Sequence, residues 1–159
     1  MNVTLVCVGR LKEDYLKAAC AEYAKRLQAF CRFNVEETEA EKLPDDPSRA
    51  EIEAALEKEG DRILAKLPKG AYTVALCIEG RQQSSEELAE LLANIPVQGN
   101  GTAAFVIGSS YGLSDKVKRA AQLRLSMSRM TFPHQLARVM LMEQLYRAYC
   151  IVNNRKYHK

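Results

Sequence analysis

Apolar positions along the 159-residue chain fall alternately into short continuous runs and into stripes at helical spacing. The run Val3 to Gly9 (VTLVCVG) is β-branched and nearly unbroken, the pattern of a strand covered on both faces. From Asp14 to Phe30, Leu16, Ala19, Tyr23, Leu27 and Phe30 recur at intervals of three and four, which predicts an amphipathic helix. A partly exposed strand follows at Phe33 to Glu39. After the turn LPDDPS, Ile52, Leu56, Ile63 and Leu67 hold one face of a second helix within residues 45–67. Ala71 to Ile78 and Thr102 to Gly108 are further buried strands. Between them Ser84 and Glu87 have capping-box spacing and open a helix through Leu88, Leu91 and Leu92, which is expected to stop at Pro96. A short basic helix from Ser114 and Asp115, a short strand from Leu123 to Ser128 and a last helix from Pro133 to near Val152 complete the chain.

Strict alternation of strand and helix predicts an α/β fold with a mainly parallel sheet of five to six strands and helices on both faces. No repeat, linker or low-complexity stretch divides residues 1–159, so one domain is expected. The last helix differs from the others. Leu136, Val139, Met140, Leu141, Met142, Leu145, Tyr146, Tyr149 and Ile151 surround most of its circumference, so it needs cover on several sides. The cover is either the same helix of a second subunit in a two-fold dimer or central burial within a monomer.

Composition narrows the classes. A hydrophobic content of 47% is enough for a real core, and no apolar run is long enough to span a bilayer, so a cytosolic protein without a membrane partner is expected. The five cysteines are scattered within apolar stretches and read as buried free thiols; with His134 and His158 far apart, no metal site is expected. A net charge of +3 is compatible with nucleic acid and decides nothing alone.

Two loops at strand ends carry the candidate chemistry. Ile107 to Ser114 (IGSSYGLS) joins a buried strand to a helix, where α/β folds bind ligands, and Gly108 and Gly112 permit a sharp turn. It is neither a dinucleotide fingerprint nor a P-loop. Ser126 to Gln135 (SMSRMTFPHQ) is the second, and its backbone N–H groups together with the glycine turn suit a flat heteroaromatic ligand. His134 opens the last helix, where the helix dipole lowers its pKa. Arg138 and Arg147 lie on a largely apolar helix, so each must pair with an acid such as Glu143 or face a polyanion. Tyr146, Tyr149 and Tyr157, interleaved with basic residues, favour nucleic acid, since aromatic faces stack on bases. A non-enzymatic α/β module binding RNA or a nucleotide would use the same features.

Three stretches, FVIGSSYGLS, SMSRMTFPHQLARVMLMEQLYRAYCI and the closing YHK, resemble the ribosomal large-subunit pseudouridine N3-methyltransferases, small members of the SPOUT class. The resemblance extends over the whole chain, including LVCVG and EYAKRL near the N-terminus. It implies a C-terminal trefoil knot within residues 102–152, a homodimer, S-adenosyl-L-methionine as methyl donor and a pseudouridine of 23S rRNA in the assembled ribosome as substrate. By matching positions it implies donor binding by Leu76, Gly108, Met127, Ser128, Arg129, Met130, Thr131 and Phe132. A SPOUT enzyme acting on another RNA, such as tRNA, is the nearest alternative.

Two positions depart from the pattern: Ser109 stands where a second glycine is usual, and Lys156 where proline is usual. The catalytic candidates are Tyr157 and His158, to remove the N3 proton or hold the base, and Arg138, to stabilise negative charge or bind phosphate. The tail, residues 153–159, is expected to be unordered until RNA arrives.

Overall fold

The computed structural model describes residues 1–159. Ten elements alternate: β1 (Asn2–Val8), α1 (Asp14–Leu27), β2 (Arg32–Thr38), α2 (Arg49–Lys66), β3 (Tyr72–Gln82), α3 (Ser85–Val97), β4 (Thr102–Ile107), α4 (Asp115–Ala120), β5 (Leu123–Ser126) and α5 (His134–Val152). The five strands form one sheet in the order β2-β1-β4-β3-β5, and every pair is parallel. β4 and β1 are therefore internal, and their near-continuous apolar sequences follow from burial on both faces. The pleat divides them. Val3, Leu5 and Cys7 join the larger core under α1, α3 and α5, whereas Val6 and Val8 join the smaller core under α2 and α4.

Helix starts follow the capping chemistry. Ser48 Oγ accepts the Glu51 N–H at 3.2 Å while the Glu51 carboxylate accepts the Ser48 N–H at 2.7 Å, so α2 begins at Arg49. The same reciprocal pair joins Ser84 and Glu87 at 3.1 and 2.8 Å. The expected stop of α3 at Pro96 is corrected: the helix includes Pro96 and ends at Val97. Pro96 has no N–H to donate to the Leu92 carbonyl, so the last turn gives up one helical bond just before the helix ends.

β3 runs four residues past its expected end at Ile78, and β5 stops at Ser126 rather than Ser128. The extension pairs Arg81 with Leu125 and Gln82 with Ser126 beyond an irregularity in the ladder. Gly80 makes this crossing possible, because a Cβ there would lie 2.7 Å from the Leu125 carbonyl carbon and 2.8 Å from that of Arg124.

α5 packs against α1, α3 and β4, with Leu141, Leu145 and Ala148 fully buried. Cover within one chain thus accounts for much of its apolar circumference. Leu136 and Val152 remain exposed, and Val139 and Met140 are only partly covered. No helix is long and apolar enough to cross a membrane. Cys7, Cys20, Cys31 and Cys150 are buried free thiols and Cys77 is partly so.

Candidate active site

The C-terminal ends of β3, β4 and β5 open onto a cavity of about 290 Å³. Its walls include Leu76 from β3, Gly108 after β4, and Met127, Ser128, Met130, Thr131 and Phe132 from the loop after β5. Seven of the eight residues expected to hold the methyl donor are thereby brought together from three separated segments. The eighth, Arg129, is exposed and lies outside the lining.

The glycine turn owes its shape to close backbone approach. A Cβ at Gly108 would collide with the Gly112 carbonyl group. Gly112 itself has φ +87°, and its N–H donates to the Ser109 carbonyl at 2.9 Å. On the opposite wall the Met130 N–H is held by Ser128 Oγ at 3.0 Å. Of the lining residues in this loop, Thr131 and Phe132 have N–H groups with no partner within the chain. Unpaired donors beside the apolar Leu76, Leu125 and Phe132 suit a flat heterocycle with acceptors on its edge.

Arg138 is paired within the chain. Its side chain is 3% exposed, and the guanidinium donates to Glu37 Oε1 at 2.7 Å and to the Gly9 carbonyl at 2.9 Å. Both contacts are internal. Arg147 is paired as its apolar setting requires, with Glu143 Oε1 at 2.5 Å.

The tail is docked, contrary to the expectation that it is unordered without RNA. The Tyr157 hydroxyl donates to Glu143 Oε1 at 3.1 Å, its ring lies 4.8 Å below the Arg147 guanidinium carbon, and it packs edge-on against Tyr146. His158 Nε2 is 2.9 Å from Glu86 Oε1, and Nδ1 is 3.5 Å from Arg147. A guanidinium can only donate, so the neutral tautomer that satisfies both contacts has Nδ1 accepting and the Nε2 proton directed at Glu86. None of residues 153–159 lines the strand-end cavity. The dock lies instead beside a neighbouring cavity that contains Ser84, Glu143 and Gln144 and shares Leu125 and Met127 with the first.

Residues 1–158 match the family model described as "Predicted SPOUT methyltransferase". Ribosomal RNA large subunit methyltransferase H of Clostridium novyi is 49% identical over 159 residues, covering 100% of both chains. The protein of the same name from Bacillus pumilus is 48% identical over the same span. The chain belongs to the SPOUT methyltransferases.

It is thus an enzyme, and its sheet carries the trefoil-knotted architecture of that class. Among solved structures, a tRNA (m1G37) methyltransferase from Aquifex aeolicus superposes with a TM-score of 0.56 at 10% identity, over 92% of this chain and 70% of that one. A protein described as a "probable methylase family protein" from Haemophilus influenzae Rd KW20 gives 0.55 at 15% identity, over 99% and 70%. Such low identities establish the fold alone.

Several residues of this methyltransferase's cavity escape the sequence reading. Glu79 and Lys118 form an ion pair at its edge, and Lys118 holds the Glu79 carboxyl below its ordinary pKa. The pair joins the end of β3 to α4, and nothing in the spacing of the two residues signals it. His134 lines the same cavity, and its pKa is lowered as expected, but chiefly by burial, with Arg138 and Lys12 adding to it. Outside the cavity, burial pushes the Cys7 thiol up to about 12.

Proposed function

We propose that this methyltransferase transfers the methyl group of S-adenosyl-L-methionine to N3 of a pseudouridine in 23S rRNA of the assembled ribosome, as a homodimer built from one domain per chain. The observation that carries the reading is the convergence of Leu76, Gly108 and the 127–132 loop on one cavity, in a chain whose full-length relatives are named rRNA large subunit methyltransferases. Likeness to a tRNA enzyme at 10% identity gives a tRNA substrate no comparable support.

The donor, when bound, supplies a methyl group already activated on a sulfonium. What the chain must do is hold it, exclude water and align the acceptor. Leu76, Leu125 and Phe132 supply apolar walls, and the N–H groups of Thr131 and Phe132 supply donors for a heterocycle edge. Gly108 lets the turn close on it.

The acceptor nitrogen carries an imide proton that must leave. Tyr157 has its phenol pKa raised, first by burial and then by Tyr23 and Glu143, so it stays protonated and serves as a hydrogen-bond donor to the base. His158 is the better proton acceptor through Nδ1, once it parts from Arg147. For this the tail leaves its dock or lies against the cavity of a second subunit, with the exposed Leu136 and part-covered Met140 of α5 at the seam. Arg138 holds the ends of β1 and β2 together and does not touch RNA in this reading.

Mass spectrometry of 23S rRNA from a strain lacking the gene tests the assignment. Loss of one methyl from a pseudouridine, restored in vitro by adding the protein and S-adenosyl-L-methionine to ribosomes from that strain, is the expected result. Unchanged rRNA methylation would overturn it.

A further inference from the structure

The glycine turn is a wall with space on both sides. Ser109, Ser110 and Tyr111 line the donor cavity and also a second cavity of about 220 Å³ that lies toward α2 and the chain before it. A thin wall backed by a cavity is not held in place by packing alone. Its position has to be set by a specific tie.

α2 supplies that tie through two consecutive residues. Glu59 is 4% exposed and belongs to no ion pair. Its Oε1 accepts the Glu41 N–H at 3.0 Å, and its Oε2 accepts the Ser109 hydroxyl at 2.8 Å. Burying a carboxylate with only neutral donors is costly, and an apolar side chain would fill the same space more cheaply. The carboxylate does what an apolar residue cannot: it fixes the direction of the Ser109 hydroxyl and so the start of the turn. Gly60, the next residue, admits the other end of the loop. A Cβ there would collide with the Ser114 hydroxyl and lie 2.9 Å from Lys116 Cε. Glycine inside a helix is destabilising relative to alanine, so this close approach is the compensating feature.

We infer that Glu59 is a positioning residue for methyl-donor binding, acting through Ser109 to hold the glycine turn against the donor cavity. The inference rests on the donor-site reading given above. Ser109 stands where the related pattern has glycine, so the tie belongs to this chain.

The test is calorimetry with S-adenosyl-L-methionine on the full-length wild type, E59A, E59Q, S109A and the double variant E59A/S109A, joined to steady-state kinetics on ribosomes. E59A and S109A are each expected to raise the Kd by about tenfold, the effect of one lost charge-assisted hydrogen bond. E59Q, whose amide still accepts from Glu41 and donates to Ser109 Oγ, stays within about threefold of wild type. The double variant is no weaker than the worse single one, because both remove the same bond. The greater part of the kinetic loss falls on KM for the donor rather than on kcat.

Unchanged affinity in S109A, or losses that add in the double variant, would overturn the inference. S109A decides the matter if E59A fails to fold. Absence of donor heat with the wild type itself would instead sink the donor-site reading, and this inference along with it.

Discussion

Arg138 of α5 meets Glu37 at 2.7 Å across 101 positions of sequence, and its second contact, the Gly9 carbonyl, ties the same guanidinium to the end of β1. The arginine is buried while Glu37 keeps partial access to water. The pair staples the last helix to the strand ends that flank the site.

Arg138→Ala is therefore expected to act on stability before activity. Loss of two charge-assisted hydrogen bonds and a buried aliphatic stem costs about 3 kcal/mol. Glu37→Gln costs less, about 1 kcal/mol, because its partner retains the Gly9 carbonyl. Urea unfolding midpoints measure both. A destabilisation by Arg138→Ala below that of Glu37→Gln would contradict the staple.

Gly108→Ala tests the closeness of the turn. The added methyl meets the backbone of Gly112, which cannot move aside as a side chain could. Overpacking of this kind costs about 1–3 kcal/mol, so donor affinity is expected to fall on the order of ten- to a hundredfold, as read by calorimetry. Wild-type affinity in the folded variant would show that the turn does not contact the donor.

His158→Ala separates docking from catalysis. If the histidine accepts the imide proton, the single-turnover rate at saturating donor falls by about 10² or more, with donor affinity retained. An unchanged rate would remove His158 from the chemistry and leave it as a clasp on Glu86. Tyr157→Phe loses the bond to Glu143, and its pH–rate profile is expected to show the same limbs as wild type, since the raised phenol pKa keeps Tyr157 protonated over the working range.

The lowered pKa of His134 makes an acid-side prediction. The native state binds this proton less readily than the unfolded chain, whose histidine has the ordinary value of 6.5. Stability from this group is complete above that value and declines as pH falls below it toward the depressed folded pKa. His134→Gln is expected to flatten that part of the stability-versus-pH curve, and an NMR titration of the His134 ring should give a midpoint below 6.5. A midpoint above it would reverse the sign and refute the burial argument.

Legibility in the sequence varied with the range of the forces involved. The Ser84–Glu87 capping box and all ten elements could be read from local pattern, because Ser–Glu spacing and apolar period act within a few residues, whereas the Ser48–Glu51 box that starts α2 at Arg49 was seen only in the structure. The overrun of β3 to Gln82 could not, since Glu79 to Gln82 is polar and becomes strand only by pairing with β5. Family resemblance pointed to the 127–132 loop, and the structure brought it to Leu76 and Gly108 while leaving Arg129 outside. Arg138 was singled out correctly as an arginine needing a partner, but Glu37 lies on a distant strand and no spacing marks it.

By itself the sequence determined the alternation of strands and helices, the glycine turn, the buried character of β1 and β4 and the family likeness of the last third. Each is set by side-chain chemistry over short spans. Tertiary structure decided which distant groups met: Arg138 with Glu37, Ser109 with Glu59, and His158 with Glu86 and Arg147. These pairings depend on how α2, α3 and α5 settle on the sheet, and only the packed chain brings their charges within hydrogen-bond distance.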